Sequence, residues 1–147
     1  MRHFYTVFDV TSPSAAFDPQ SDYPLGLKRP DLVTTPGGIP LAELSLDSER
    51  VTAGELRATP ATLRLQAEVA AAAGRPQLAA NLLRAAELAP LPDSTILEIY
   101  TALRPRRSSA ADLEAWAKRL EELDAPLTAA FVREANLVYA ERGLLAA

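Results

Sequence analysis

The fold of this chain is decided by residues Thr59–Arg107, TPATLRLQAEVAAAAGRPQLAANLLRAAELAPLPDSTILEIYTALRPRR. Thr59 followed by Pro60 predicts a helix start, because the threonine oxygen can accept a first-turn N–H and proline lacks only a donor that this turn does not use. We expect the helix to run to about Ala73, since Gly74 is a favourable residue just beyond a helix C-terminus.

Two more helices are predicted in the same stretch. One begins at Pro76 and continues through Leu88, with leucine and alanine side chains facing inward. Its inward positions are Leu78, Leu82, Ala85 and Ala86, and its outward positions are Arg84 and Glu87. The next helix is capped by Asp93 or Ser94 and closes at Arg104-Pro105, where proline prevents continuation.

The sequence after Arg107 predicts two further helices. Ser109 and Asp112 have the spacing of a capping box, and apolar residues then recur every three to four positions. Pro126 starts the last helix, which we expect to end near Gly143. The prediction is therefore a mostly α fold, an open up-and-down bundle of about five helices in a helical domain covering residues 41–147.

Residues 1–40 have a different character and predict a long extended N-terminal arm. Four prolines between positions 24 and 40 favour extended backbone, and apolar side chains stand between them. The first twenty residues add an aromatic-rich segment, HFYTVFDV, with the composition of a short strand. We predict that the arm binds a partner through Tyr23, Pro24, Leu25 and Leu27; the alternative is a linker folded back on its own domain.

Between the arm and the bundle, residues Leu41–Arg57 predict two short helical pieces. Thr52 and Glu55 have capping-box spacing, which predicts that the glutamate reaches back to the threonine N–H.

The composition limits the classes of function. The charge is −4, from 15 Lys+Arg against 19 Asp+Glu, which argues against bulk attraction to nucleic acid or anionic lipid. There is no cysteine, so disulfides and thiolate metal sites are excluded. No window reaches the roughly 18 apolar residues of a membrane span. We expect a soluble cytoplasmic protein.

Residue types that commonly act in catalysis are scarce. His3 is the one histidine, so a Ser–His–Asp relay or a multi-histidine metal site within the bundle is not predicted. The carboxylates fall mostly on outward helix faces, and Glu98 is expected to pair with Arg104 or Arg133.

Three arginines, Arg104, Arg106 and Arg107, follow a helix end, where the macrodipole favours cations. A phosphate or a partner carboxylate is the alternative ligand for these arginines. No catalytic, cofactor-binding or metal-binding residue is predicted.

One segment, AGRPQLAANLLRAAELAP, has features of a single tetratricopeptide repeat. Such arrays need about three repeats, and residues Leu97–Ala130 do not repeat the pattern. A free-standing helical adaptor that binds a protein partner therefore remains the alternative function.

Several collinear pieces of the chain resemble the small (γ) subunit of adenosylcobalamin-dependent diol and glycerol dehydratases. These pieces are SDYPL at Ser21–Leu25, TPATLRLQA at Thr59–Ala67, RAAELAPLPDSTILEIYTALRPRRS at Arg84–Ser108 and AAFVREANLVYAER at Ala129–Arg142. The resemblance covers most of the chain, and several ordered pieces are far more specific than one motif.

The resemblance implies an enzyme with large, medium and small subunits, two copies of each. A radical derived from adenosylcobalamin converts a 1,2-diol such as propane-1,2-diol or glycerol to an aldehyde and water. The cofactor sits between the large and medium subunits, so no residue of this chain is expected to bind it. The small subunit is helical and packs on the large one, and we assign Arg104 and Arg106 to the partner interface together with the arm.

Small subunits of this family often begin with an amphipathic helix that directs the enzyme to a bacterial microcompartment. Met1–Gln20 does not have that pattern, so the sequence does not predict encapsulation.

Overall fold

A computed structural model describes residues 16–45 and 49–146. It contains six α-helices: α1 Leu25–Lys28, α2 Pro60–Ala72, α3 Pro76–Leu88, α4 Asp93–Ala102, α5 Ala110–Glu122 and α6 Pro126–Arg142. Two 3-10 helices, Pro30–Leu32 and Leu41–Glu43, lie between α1 and α2. The described ranges hold no β-strand, only an isolated antiparallel bridge between Thr34 and Pro40. The mostly α fold class is confirmed, and α2–α6 are the five helices that the sequence predicts.

Helices α2 and α3 form a hairpin whose ends follow the sequence signals. The Thr59 side chain accepts the N–H of Thr62 at 3.2 Å. Gly74 has φ +70°, a conformation that is easiest for glycine, and it turns the chain into α3. The two helices meet through Ala67, Ala70 and Ala79, because side chains without a γ-carbon let backbones approach closely.

A second hairpin, α5 and α6, carries most of the core. Ser109 and Asp112 make both hydrogen bonds of the predicted capping box, and the pKa of Asp112 is lowered by its bond from the Ser109 hydroxyl. The core cluster includes the fully buried residues Leu113, Ala117, Leu120, Ala125, Ala129 and Val132. It also includes Leu91, two residues before α4, and Ile99 within α4, so this part of the chain packs against the hairpin.

The two hairpins are joined where Glu87 of α3 meets the start of α6. Its carboxylate accepts the backbone N–H groups of Leu127 and Thr128, each at 2.8 Å, and the Thr128 hydroxyl at 2.7 Å. Ala125, at the N-cap position, has no side-chain acceptor, so Glu87 satisfies N–H groups that the helix leaves unpaired. The prediction that Glu87 faces solvent is wrong, since its partners lie 40 and 41 residues further along the chain.

Two other details also differ from the sequence predictions. Leu78 is 43% exposed instead of facing inward. Glu98 is exposed, and Arg133 pairs with Glu114 and Glu121 instead.

The start of α4 differs as well. Pro92 is the N-cap residue and Asp93 is the first helical residue. The carboxylate of Asp93 forms an ion pair with Arg57 at 3.0 Å, so it is engaged outside its own helix.

Residues 33–41 fold into a closed loop that Glu55 holds from outside. The Thr35 N–H donates to the Ile39 carbonyl at 2.9 Å. The Glu55 carboxylate accepts the Thr35 hydroxyl and the Gly37 N–H, and a Cβ on Gly37 would lie 2.5 Å from a Glu55 oxygen. The capping box predicted for Thr52 and Glu55 is therefore wrong: residues 53–57 form turns and a bend.

The arm predicted for residues 1–40 lies partly outside the described residues. That part holds residues 1–15, including His3 and the aromatic segment HFYTVFDV. The division into a partner-binding arm and a helical domain from residue 41 stays a prediction.

Candidate subunit interface

The first predicted interface lies around α1. Tyr23 and Leu27 are 60% and 78% exposed, and Pro24 is exposed. Leu25 is only 8% exposed, so its side chain anchors the segment to its own chain. We call Tyr23, Pro24 and Leu27 the Tyr23 surface; its use by a partner stays a prediction.

Polar contacts hold this segment in shape. The Lys28 ammonium donates to the Ser21 carbonyl at 2.8 Å. Arg29 pairs with Asp22 at 3.0 Å and with Asp31 at 2.9 Å, and the hydrogen bond from Arg29 lowers the pKa of Asp31. These links fix the backbone on both sides of Tyr23, so its ring projects from an ordered support.

A groove of about 730 Å³ separates this segment from the α2–α3 hairpin. Tyr23, Leu25 and Gly26 line one side, and Val69, Ala70, Ala73, Arg75 and Leu78 are among the residues that line the other. The exposure of Leu78 follows from this arrangement, because its side chain borders the groove instead of the core.

The second predicted interface follows α4. Leu97 and Tyr100 are 66% and 61% exposed on the outer face of this helix, which makes them large apolar side chains in contact with water. Arg104, Arg106 and Arg107 come next, in a turn that we call the arginine turn, residues 104–107. All three arginines are exposed.

The arginine turn has an unusual backbone and is held from two directions. Arg106 has φ +61°, a conformation that side chains with a Cβ disfavour. Its N–H donates to the Leu144 carbonyl at 2.7 Å, and the Ala146 N–H donates to the Ser108 carbonyl at 2.9 Å. The segment after α6 thus clasps the turn.

Two side chains add to this clasp from within the protein. The Tyr139 hydroxyl donates to the Leu103 carbonyl at 2.6 Å, and the Ser108 hydroxyl donates to the Ala102 carbonyl at 2.9 Å. They satisfy carbonyl groups that the end of α4 leaves without helical partners. The position of the arginine turn is therefore set by α4 and α6 together.

A fork of charges bridges the outer face of the α5–α6 hairpin. Arg133 lies 3.0 Å from Glu114 and 2.5 Å from Glu121. Hydrogen bonds from Arg133 lower the pKa of both carboxyl groups, and they raise the pKa of the guanidinium. Both glutamates lie on an outward helix face, and the sequence pattern does not reveal their common partner because Arg133 lies on another helix.

Two structural findings bear on other classes of site. Residues 16–45 and 49–146 hold no group of three or more His, Cys, Asp or Glu side chains that could bind a metal ion. Over the same ranges, no helix has both the length and the hydropathy needed to cross a membrane. What the described surface does offer is exposed apolar and cationic groups, which suits contact with another protein.

The sequence matches a known protein family. The family model described as dehydratase small subunit matches residues 19–146, and the chain belongs to this family. The resemblance inferred from the sequence is thereby confirmed.

Two relatives sharpen the comparison. The chain is 50% identical to the propanediol dehydratase small subunit of Citrobacter freundii over 137 residues, which cover 90% of this chain and 80% of the relative. It is 52% identical to the propanediol dehydratase small subunit of Salmonella typhimurium over 126 residues, which cover 83% of this chain and 73% of the relative.

Proposed function

We propose that this chain is the structural small subunit of an adenosylcobalamin-dependent diol dehydratase and that it packs on the catalytic large subunit. The observation that carries the proposal is the identity of about half of all aligned residues to two propanediol dehydratase small subunits over most of their length. The reaction converts a 1,2-diol to an aldehyde and water, with propane-1,2-diol as the substrate that the relatives' names suggest and glycerol as a second.

The residues of this chain supply no step of that chemistry in our proposal. When bound, adenosylcobalamin supplies a radical that abstracts a substrate hydrogen. The family resemblance implies a cofactor between the large and medium subunits. We therefore assign the cofactor to the large and medium subunits and assign assembly to this chain, in a complex with two copies of each subunit.

The exposed side chains support a role in assembly. Tyr, Arg and Trp are the residue types most enriched at the energetic centres of protein interfaces. The Tyr23 surface and the outer face of α4 both present such residues beside exposed leucines. Contact with the other subunits of a three-subunit enzyme accounts for these surfaces. We propose that the enzyme is cytoplasmic, and encapsulation is not part of the proposal.

Co-expression tests the proposal directly. A tagged large subunit is purified after expression with the medium subunit, with and without this chain. We expect native mass spectrometry to show a stable complex that contains all three, and aldehyde production from propane-1,2-diol after addition of adenosylcobalamin. Glycerol is assayed in parallel to compare the two substrates.

The control preparation, which lacks this chain, is expected to be less stable and less active. If the large and medium subunits were equally stable and active alone, and this chain eluted separately, the proposal would be wrong. Elution with an unrelated protein would favour the free-standing adaptor.

A further inference from the structure

The three arginines of the arginine turn have no ionic partner within the part of the chain that the structure describes. The ion pairs found there involve Arg29, Arg50, Arg57 and Arg133. Arg104, Arg106 and Arg107 are all exposed and none appears in those pairs. Three positive charges within four residues are exceptional in a chain whose net charge is −4.

The macrodipole of α4 explains only part of this concentration. A helix C-terminus favours a nearby cation, but the effect falls off within the last turn. Arg106 and Arg107 lie four and five residues beyond Ala102, the last residue of α4. Charge repulsion among the three guanidinium groups works against placing them together, unless a negative group lies opposite.

The backbone holds this turn in place at a conformational cost. Arg106 adopts a positive φ, and two hydrogen bonds to the segment around Leu144 and Ala146 stabilise the turn. A residue kept in a disfavoured conformation by its surroundings is a reason to consider a functional role. Here the result is a cationic loop whose shape is set before any partner arrives, which reduces the ordering cost of binding.

Apolar groups adjoin the charges. Leu97, Thr101, Arg107 and Trp116 line one shallow depression between α4 and α5, and Glu98 lies at the same place. Tyr100, one turn from Leu97 on α4, is 61% exposed. An apolar centre with charged groups beside it is the usual anatomy of a protein interface.

We propose that the arginine turn and the outer face of α4 dock on an acidic, apolar-centred surface of the large dehydratase subunit. This inference rests on the proposed function and adds which face makes the contact and with what chemistry. A protein surface suits the site better than a phosphate, because Leu97 and Tyr100 would stay exposed beside a small anion. The Tyr23 surface is then a secondary contact or is free.

A competition experiment in the complete complex tests this surface. Cells express the large and medium subunits together with two forms of this chain that differ in mass, one unchanged and one Arg104→Glu/Arg107→Glu. The tagged large subunit is purified, and native mass spectrometry gives the ratio of the two forms. We expect incorporation of the double variant to fall roughly tenfold or more, since reversed charges repel an acidic partner.

The matched control is Arg64→Glu/Arg75→Glu, which reverses two exposed arginines that likewise form no ion pair among the described residues. Arg64 lies on α2, and Arg75 borders the groove beside Tyr23. We expect this control to compete within about twofold of the unchanged chain, as is usual for isolated surface charges. Loss of the control with retention of Arg104→Glu/Arg107→Glu would overturn the proposal and place the contact at the Tyr23 surface.

A variant without charge reversal distinguishes loss of binding from misfolding. Arg104→Gln/Arg107→Gln removes the charge without reversing it, and amide exchange in α5 checks that the hairpin is intact. We expect reduced incorporation and a weaker salt dependence of dissociation, because fewer charges are screened. Incorporation equal to that of the unchanged chain, with the same salt dependence, would overturn the inference.

The remaining outcomes separate the two proposals. Failure of the unchanged chain to enter any complex would refute the proposed function itself. Normal assembly of the unchanged chain and of both arginine-turn variants would refute only this inference. A third outcome would be that the variants enter the complex as well as the unchanged chain does, while polyphosphate binds the unchanged chain and not the variants. That outcome would overturn this inference in favour of a phosphate ligand.

Discussion

Glu87 joins two helical hairpins through a single carboxylate. It accepts two backbone N–H groups and one hydroxyl at the start of α6, where the helix dipole also favours a negative charge. Since Ala125 offers no side-chain acceptor at the N-cap, no local residue takes over this role. The contact of α3 with the start of α6 therefore uses the charge and both oxygen atoms of this carboxylate, and Arg84 of α3 adds a second contact over the Phe131 ring of α6.

The variant Glu87→Gln should destabilise the start of α6. One carboxylate oxygen becomes an amide that donates instead of accepting, and the favourable charge is lost. We expect a local cost of about 1 kcal/mol, as for the loss of a helix cap, observed as faster amide exchange at Leu127 and Thr128 in the assembled protein. Glu68→Gln, at an exposed position on α2, is the control, and equal exchange in both variants would contradict this role.

The polar and charged side chains fall into two groups, according to how far along the chain their hydrogen-bond partners lie. The caps at Thr59 and Ser109 were predictable because each side chain bonds to a residue three positions later. Glu55 and Glu87 were not, since their partners are 18 to 41 residues distant. A sequence pattern reports neighbours within one turn of helix, whereas these contacts exist only after the helices have packed.

Among the helices, α5 and α6 show how a buried seam and an exposed charge fork combine. Leu113, Leu120 and Val132 are fully buried between them, and each leucine contributes roughly 2–5 kcal/mol by comparison with Leu→Ala substitutions in other cores. Arg133 bridges to α5 on the outside. The buried seam provides most of the stability of this hairpin. The ion pairs of Arg133 add a contribution to the free energy of unfolding that depends on ionisation of the two glutamates.

The stabilisation by the Arg133 ion pairs should disappear in acid. The pKa values of Glu114 and Glu121 are lowered in the folded chain by Arg133, so folding favours their charged forms. The stabilisation is present above the ordinary glutamate pKa of about 4.3 and is lost as the pH falls through the lowered folded values. Arg133 remains charged throughout and adds no pH dependence.

Thermal unfolding of dilute purified chain, followed by circular dichroism from neutral to acidic pH, measures this effect. We expect Arg133→Gln to unfold at a lower temperature than the unchanged chain at neutral pH, with the difference shrinking below about pH 4. Arg64→Gln, which removes an exposed arginine from α2, should give a small difference that does not vary with pH. A constant difference for Arg133→Gln would show that the fork contributes only packing.

Helix boundaries were the most predictable elements. Proline at the first position of α2, α3 and α6 and glycine after α2 and α6 mark ends through covalent geometry alone. The residues before Thr59 lack such periodic patterns, and their fold depends on distant contacts such as those of Glu55 with Thr35 and Gly37. This is why the closed loop at residues 33–41 was not predicted.

The whole molecule leaves large apolar side chains on several faces. Tyr23 and Leu27 lie near α1, Leu97 and Tyr100 on α4, and Leu137 on α6 is 69% exposed. Scattered exposed leucines are normal, but paired ones beside aromatic residues mark contact sites. These exposed apolar side chains indicate that a partner protein covers part of the surface.

We therefore expect the isolated chain to self-associate as its concentration rises. Light scattering coupled to size-exclusion chromatography should show species larger than a monomer, and an apolar dye should bind more strongly than it does to the same chain in the complex. The variant Leu97→Ser/Tyr100→Ser should reduce both signals, and Leu56→Ser is the control because Leu56 lies apart from these faces in sequence. A monomer at all concentrations with little dye binding would contradict this expectation.

The pairing of helices that are adjacent in sequence has a consequence for the speed of folding. Both α2–α3 and α5–α6 are closed by connections of three residues, so each hairpin can form with little loop-closure entropy. Chains dominated by such local contacts cross their folding barrier quickly, on the microsecond to millisecond scale. The bond between Glu87 and α6, which spans about forty residues, would then form late, when two finished hairpins meet.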